Sequence, residues 1–153
     1  MKLSDNFSLD EFTKSQTALR NDIDNTPNET QLNNLKALCT HVLQPVRDYY
    51  LRPVIISSGF RCIALNKLIN GSPSSQHTEG KAADIEILGV KNSELSDWIH
   101  THCKYDQLIL EFYDGVNPNS GWVHVSYTDG ENRYQYKQAT RNEKGKVVYT
   151  LRW

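Results

Sequence analysis

The spacing of apolar residues changes part-way along this chain of 153 residues, and that change limits the fold more than any other feature. Between Leu32 and Val46 apolar residues recur every three or four positions, which predicts an amphipathic helix of about four turns. After that helix the apolar residues stand in short runs that are typical of strands. Helices followed by strands favour an α+β fold, in which N-terminal helices pack on a mainly antiparallel β-sheet. The four clearest strand-like runs are residues 54–57, 82–88, 107–112 and 122–127.

Two prolines mark the expected limits of the long helix. Pro27 follows Thr26, a good N-terminal cap, and precedes Glu29, which completes a capping box. We therefore expect the helix to begin at Thr26. Pro45 lies inside the apolar stripe, so we expect the helix to kink or to end there, because proline removes a main-chain donor.

Shorter elements complete the predicted fold. A helix is expected over residues 61–70, with Gly71 as its stop, and another over residues 92–103. Two last strands are expected over residues 133–138 and 146–152. The segment 131–153 contains no functional motif, and the sequence assigns no role to it.

Composition excludes several classes of protein. The whole chain, residues 1–153, has the length of one domain. The 17 basic and 18 acidic residues give a net charge of −1 without a basic block, so we expect no nucleic-acid partner. No apolar run approaches the roughly 18 residues of a transmembrane helix, and the N-terminus lacks the apolar core of a signal peptide. We expect a soluble monomer without membrane insertion, in which Cys39, Cys62 and Cys103 are free thiols.

Two histidines and one aspartate form the strongest chemical pattern. His77 stands in a loop, and Asp84 enters a strand seven residues later through the small residues Gly80, Ala82 and Ala83. His124 alternates with valines that we expect to face the core, so its imidazole should lie on the open face of the sheet. Two imidazoles and one carboxylate form the ligand set of a catalytic zinc site, which leaves one tetrahedral position free.

A hydrolytic site also requires a base and a counter-charge. Glu111 ends an apolar strand close in sequence to His124, which makes it a candidate general base. Arg61 stands where a helix is expected to begin, a position at which a basic side chain gains nothing from the helix dipole. A role in binding a carboxylate or an oxyanion would explain it. Each residue alone is also compatible with an ordinary surface ion pair.

Three segments together resemble a known family. They are SSGFR at 57–61, SxHxxGxAxD at 75–84 and WVHVS at 122–126. They resemble the zinc D-alanyl-D-alanine carboxypeptidases, which include vancomycin-resistance dipeptidases and phage endolysin L-alanyl-D-glutamate endopeptidases. This family shares its fold with the signalling domain of hedgehog proteins. The resemblance extends over about residues 5–130 and is strongest to short phage and prophage peptidases.

The resemblance implies roles for individual residues. His77, Asp84 and His124 would bind one zinc ion, and Arg61 would hold the substrate or the oxyanion. Ser75 would contact the substrate. Many relatives carry the catalytic acid three residues before the last histidine, where this chain has Gly121, so Glu111 remains the expected base. We expect a narrow cleft that contacts the substrate through Trp122, with Tyr113 and Tyr127 as further walls.

The predicted function is hydrolysis of peptidoglycan stem-peptide bonds by a zinc metallopeptidase. It would act as a carboxypeptidase or as an endopeptidase, and cell-wall degradation by a bacteriophage or prophage endolysin is the favoured setting. Such a protein would accumulate in the cytoplasm and reach the wall at lysis, or be part of the virion. The alternative is a non-catalytic zinc-containing module that binds the cell wall or builds the phage particle. A separate metal cluster of His100, His102 and Cys103 is disfavoured, because residues two apart on a helix point to different sides.

Overall fold

The computed structural model describes residues 1–153, with most helices in the first third of the chain and most strands after it. None of the helices combines the length and the apolar character that crossing a membrane requires. The helices are α1 (Leu9–Thr13), α2 (Gln16–Arg20), α3 (Glu29–Leu38), α4 (Gln44–Tyr50), α5 (Ile63–Leu68) and α6 (Asn92–His102), with a π-helical segment at Cys39–Leu43 and a 3₁₀ turn at Gln76–Glu79. The strands are β1 (Lys2–Ser4), β2 (Phe7–Ser8), β3 (Ile55–Ser58), β4 (Ala82–Glu86), β5 (Gln107–Glu111), β6 (Trp122–Ser126), β7 (Gln135–Arg141) and β8 (Val147–Leu151).

Six strands form one sheet in the order β3-β4-β6-β5-β7-β8. Every neighbouring pair is antiparallel except β5 and β7, which run parallel. The predicted α+β fold with a mainly antiparallel sheet is therefore confirmed. Strands β1 and β2 form a separate two-stranded ribbon.

The two faces of the large sheet differ in character. One face packs against the helices through fully buried side chains such as Ile85, Val123 and Val125. The residues that alternate with them, including Asp84 and His124, emerge on the opposite, open face. A core of 26 buried residues on the helix side holds the sheet in place, so the open face is free to carry polar chemistry.

The long helix begins two residues later than predicted. Asn28 is its N-cap, since its side-chain oxygen accepts from the main-chain N–H of Gln31, and its own main-chain N–H donates to Oε1 of Gln31. This reciprocal capping box satisfies two otherwise free donors, and it leaves Thr26 and Pro27 outside the helix. Thr26 instead donates to Asp24 at 2.5 Å.

Pro45 does not end the helical path, contrary to one of the two expected outcomes. The helix continues from α3 through the π-helical segment into α4, where Pro45 occupies the first turn. A proline is tolerated at the beginning of a helix, because the main-chain donors there have no partner inside that helix. The π segment widens the path just before Pro45, and Val42, Leu43 and Val46 stay fully buried through it.

Two predictions around β3 are wrong in detail. The short, continuous, β-branched run at 54–57 predicts a buried strand, but β3 is an edge strand in which Ile55 is 36% exposed and Ile56 is buried. The following helix begins only at Ile63 with Cys62 as its cap, so Arg61 precedes the helix. This helix ends at Leu68. The left-handed residue that follows its C-cap is Asn70, with a φ of +59°, and not the predicted Gly71.

The packing of α3 gives a stability prediction. Leu35 of α3 is fully buried in the hydrophobic core. We expect Leu35→Ala to lower the free energy of unfolding by about 3 kcal/mol, because it leaves a cavity that the core cannot close. Urea unfolding followed by circular dichroism measures this change. Leu19→Ala, at a side chain that is 75% exposed, is the control and should change stability by less than about 0.5 kcal/mol. Equal effects of the two changes would contradict the described packing.

Candidate metal centre

Three side chains meet on the open face of the sheet. Asp84 of β4 and His124 of β6 are direct partners in the antiparallel register, so their side chains emerge next to each other. His77 reaches them from the 3₁₀ turn. Nδ1 of His124 lies 3.0 Å from Oδ1 of Asp84, and Nε2 of His77 lies 3.4 Å from the same oxygen.

The ring of His77 is held in one orientation. Its Nδ1 lies 2.7 Å from the carbonyl oxygen of Gly59. Because a carbonyl can only accept a hydrogen bond, Nδ1 donates and carries the proton. In the neutral imidazole Nε2, which faces Asp84, keeps the lone pair that a metal ion would take, and in the imidazolium it donates to Asp84 instead. With only 3% of the residue exposed, His77 is pre-oriented for binding a metal.

The close return of the chain from His77 to Asp84 depends on Gly80. This residue has a φ of +73°, in the left-handed region that favours glycine. A Cβ atom at position 80 would lie 2.4 Å from the carbonyl oxygen of Gln31 in α3. The side-chain amide of Gln31 also donates to the carbonyl oxygen of Thr78. Helix α3 thus holds the histidine-bearing turn against the sheet.

The three residues fit one zinc ion. Their ligand atoms lie within 4.8 Å of one another. Atoms about 2.0–2.2 Å from a tetrahedral zinc ion are separated by about 3.3 Å, close to the two observed distances. Burial by itself raises the pKa of Asp84, but hydrogen bonds to His124 and His77 outweigh burial and hold that pKa well below its usual range. Asp84 is therefore ionised, the form that binds a cation.

Arg61 and Ser75 are linked beside these ligands. Nη2 of Arg61 donates to Oγ of Ser75 at 3.3 Å, and that oxygen also accepts from the main-chain N–H of His77. Burial lowers the pKa of Arg61, while the negative charges of Asp84 and Glu111 oppose that shift. Nε of Arg61 is buried without a hydrogen-bond partner. The guanidinium thus lies within the electrostatic reach of both acids and keeps a free donor.

A comparison with protein families agrees with this geometry. The profile of a family described as Peptidase M15 matches residues 5–126. The chain belongs to the peptidase M15 family. Its members are zinc-dependent and related to D-alanyl-D-alanine carboxypeptidases, so the family inferred from the motifs is confirmed. No curated protein matches the chain.

Glu111 lies on β5, next to the strand that carries His124. It pairs in register with Trp122, and the indole N–H of Trp122 donates to its Oε2 at 2.6 Å. Burial raises the pKa of Glu111 above its usual range, and the nearby charge of Asp84 raises it further. His124, the Trp122 hydrogen bond and Arg61 lower the pKa, but burial outweighs them. A carboxyl group with a raised pKa can exchange a proton near neutral pH more readily than an ordinary one.

The backbone around Gly121 leaves no room for the acid that the motif resemblance would place there. Gly121 has a φ of +64°, and a Cβ atom there would lie 1.8 Å from the carbonyl oxygen of Glu111. No side chain fits this position. The acid that many relatives carry at the corresponding place therefore cannot be accommodated here, whereas Glu111 extends from the adjacent strand.

All seven predicted site residues line one cleft of about 490 Å³. Tyr113 and Tyr127 are not walls of this cleft, contrary to expectation. Tyr127 is buried on the other side, where it stacks on His41, and Tyr113 packs against the core. The cleft is lined by Arg61, Ser72, Ser74, Ser75, Gln76, His77, Asp84, Gln107, Ile109, Glu111, Trp122, His124, Arg133 and Tyr149.

Sequence reasoning missed the contribution of the C-terminal segment to this cleft. Arg133 and Tyr149 line it, although both lie beyond the matched residues 5–126. Gln107 also lines the cleft, and the alternation of Gln107, Ile109 and Glu111 along β5 was a usable signal for it. Nothing in the sequence indicated which strand the C-terminal hairpin would pair with, so Arg133 and Tyr149 could not be placed.

The other histidines do not converge on a metal site. His100 contacts the hydroxyl of Tyr105 and the ring of Trp153, while His102 stacks on Trp98. Cys103 is buried, and burial raises its pKa to about 11. These residues make packing contacts.

The contact at Gly121 gives a test. We expect Gly121→Ala to lower the free energy of unfolding by about 2–4 kcal/mol, because it adds a backbone clash to left-handed strain. Gly115 has a φ of +77°, and a Cβ atom there would meet no other atom within 4 Å. Gly115→Ala therefore isolates the strain alone and should cost about 1–2 kcal/mol. Thermal unfolding of both variants measures the difference. Equal losses would show that position 121 has room for a side chain.

Proposed function

We propose that the protein is a zinc peptidase that hydrolyses bonds of peptidoglycan stem peptides. One observation carries the proposal: the His77–Asp84–His124 cluster shares its cleft with Glu111, a carboxyl group whose pKa is raised by burial. Membership of the peptidase M15 family supports the reaction class and the class of substrate. The motif resemblance favours a phage or prophage cell-wall hydrolase of the carboxypeptidase or endopeptidase type.

His77, Asp84 and His124 would hold the zinc ion. When bound, zinc supplies Lewis acidity, which polarises a peptide carbonyl and acidifies water. The protein itself contributes pre-oriented ligands. His77 is held by Gly59, and Asp84 is ionised at neutral pH, so little rearrangement is required when the ion binds.

Glu111 would act as the proton carrier. Its carboxylate accepts a proton from the attacking water and then donates that proton to the leaving nitrogen of the scissile peptide. The indole N–H of Trp122 holds Oε2, which leaves Oε1 for the exchange. Trp122 thereby positions the base as well as lining the cleft for the substrate.

Arg61 would stabilise negative charge on the substrate. It lines the same cleft, and its Nε has no partner within the protein. A guanidinium in a partly buried site stabilises a developing oxyanion or a substrate carboxylate more strongly than in water. Ser75 fixes one end of that guanidinium and adds a hydroxyl to the wall of the cleft.

Digestion of purified peptidoglycan tests the function. The zinc-loaded protein should release cleaved stem peptides, and Glu111→Gln should lower the rate at least about 100-fold while keeping its zinc, because the amide cannot accept the proton. Mass spectrometry identifies the products, and elemental analysis measures zinc in the same samples. Glu143→Gln, at an exposed turn, is the matched control. A wild-type protein that holds zinc and releases nothing from several wall types would instead support the non-catalytic wall-binding module.

The Trp122 hydrogen bond gives a pH prediction. It favours the ionised form of Glu111, so Trp122→Phe should raise the pKa of that group. Because the base acts when deprotonated, the acid limb of the kcat/KM profile should move to higher pH by about one unit. Trp98→Phe, in the aromatic cluster around Tyr49, is the control and should leave the limb in place. A limb that stays or moves to lower pH after Trp122→Phe would exclude Glu111 as the base.

A further inference from the structure

The open face of the sheet continues past the metal centre onto strands that the family match does not include. Strands β7 and β8 begin after residue 126, where that match ends. The register aligns His124 of β6, Ile109 of β5, Lys137 of β7 and Leu151 of β8 in one row across the sheet. The open face therefore extends beyond the metal ligands by three strands, β5, β7 and β8.

Lys137 projects from the open face on the same side as the metal ligands, paired with Ile109 and next to the cleft rather than in its lining. Its neighbour Tyr136 is buried on the helix side, where its hydroxyl contacts Ser96 of α6. Adjacent residues of a strand point to opposite faces, so Lys137 shares the open face with Ile109. Tyr149, two positions before Leu151 on β8, lines the cleft from the same face.

Lys137 has no partner within the protein. It is half-buried, and it forms no ion pair and no side-chain hydrogen bond. Asp106, an acid near this end of the cleft, is already occupied, because both of its oxygens accept hydrogen bonds from Arg133. Glu111 lies two residues after Ile109 on β5, opposite Ala139, and its Oε2 accepts a hydrogen bond from the indole N–H of Trp122.

The position of Lys137 sets its distance from the reacting bond. Two strand spacings of about 4.8 Å separate the His124 strand from the Lys137 strand, or about 10 Å. An extended peptide advances about 3.3 Å per residue. For a peptide that runs across the strands along this row, a side group about three residues from the scissile bond would lie over Lys137.

We propose that Lys137, next to the cleft that Arg133 and Tyr149 line, forms an anion subsite that binds a free carboxylate of the peptide substrate. The ammonium group supplies the charge, and the half-exposed ring of Tyr149 supplies an apolar surface for the adjoining peptide. Arg133 is fixed by Asp106, and its Nη1 remains free to donate. This inference rests on the proposed peptidase function, since it names the side chemistry of the same substrate.

Matched synthetic stem peptides test the subsite. Each pair differs in one group, a free carboxylate or its carboxamide, moved from one to four residues from the cleaved bond. The wild-type protein should prefer the carboxylate by about tenfold in kcat/KM at about three residues, with a smaller preference elsewhere. Lys137→Gln should reduce this ratio to about one, and Lys137→Glu should invert it. Lys144→Gln, on the exposed turn of the same hairpin, is the control and should keep the wild-type ratio.

The outcomes separate the subsite from the function on which it rests. If the wild-type protein cleaves neither member of any pair, the peptidase proposal fails. If it cleaves both members of every pair equally, the peptidase proposal stands and the anion subsite is excluded. A preference for the carboxylate that survives Lys137→Gln would also exclude the role of Lys137. A true charge preference should weaken as ionic strength rises.

Discussion

The pairing of β4 with β6 is the constraint on which the rest of the structure depends. Its register places Asp84 directly opposite His124, so two of the three candidate ligands meet without the help of any loop. The same register sends Ile85 and Val123 into the core beneath them. A shift of one residue in this register would place Asp84 and His124 on opposite faces of the sheet, one of them in the core, and would expose the apolar residues of the shifted strand. Core packing and metal geometry are therefore enforced by the same hydrogen bonds.

The remaining parts of the site are attached to this pair by buried polar contacts. Asp106 is almost fully buried and accepts hydrogen bonds from Arg133 and from the side chain of Gln76, the neighbour of His77. Burial by itself raises the pKa of Asp106, but these hydrogen bonds outweigh burial and lower that pKa to about 2. The C-terminal segment thus holds the histidine-bearing turn from one side, while helix α3 holds it from the other. A buried carboxylate is tolerated there because every one of its contacts is a donor.

Local pattern predicted the elements well and their limits less well. The alternation along β4, β5 and β6 identified which side chains face the open side, because a strand has a period of two residues. A threonine before a proline has the right local chemistry for a helix start, which favoured Thr26 as the cap of the long helix. Asn28 caps it instead, in a capping box with Gln31. Thr26 offered a similar capping box with Glu29, and residue preference alone does not decide between two caps that lie so close together.

The sequence by itself determined the fold class, the family and seven of the residues that line the cleft, because these depend on strand periodicity and on motifs of fixed spacing. The tertiary structure decided three further points. It showed that Gly121 has no room for an acid, because the carbonyl of Glu111 occupies that space. It brought Arg133 and Tyr149 into the cleft. It aligned Lys137 with the metal row through the parallel pairing of β5 with β7. Each of these points depends on contacts between segments far apart in the chain, and such contacts are set by packing of the whole sheet rather than by local pattern.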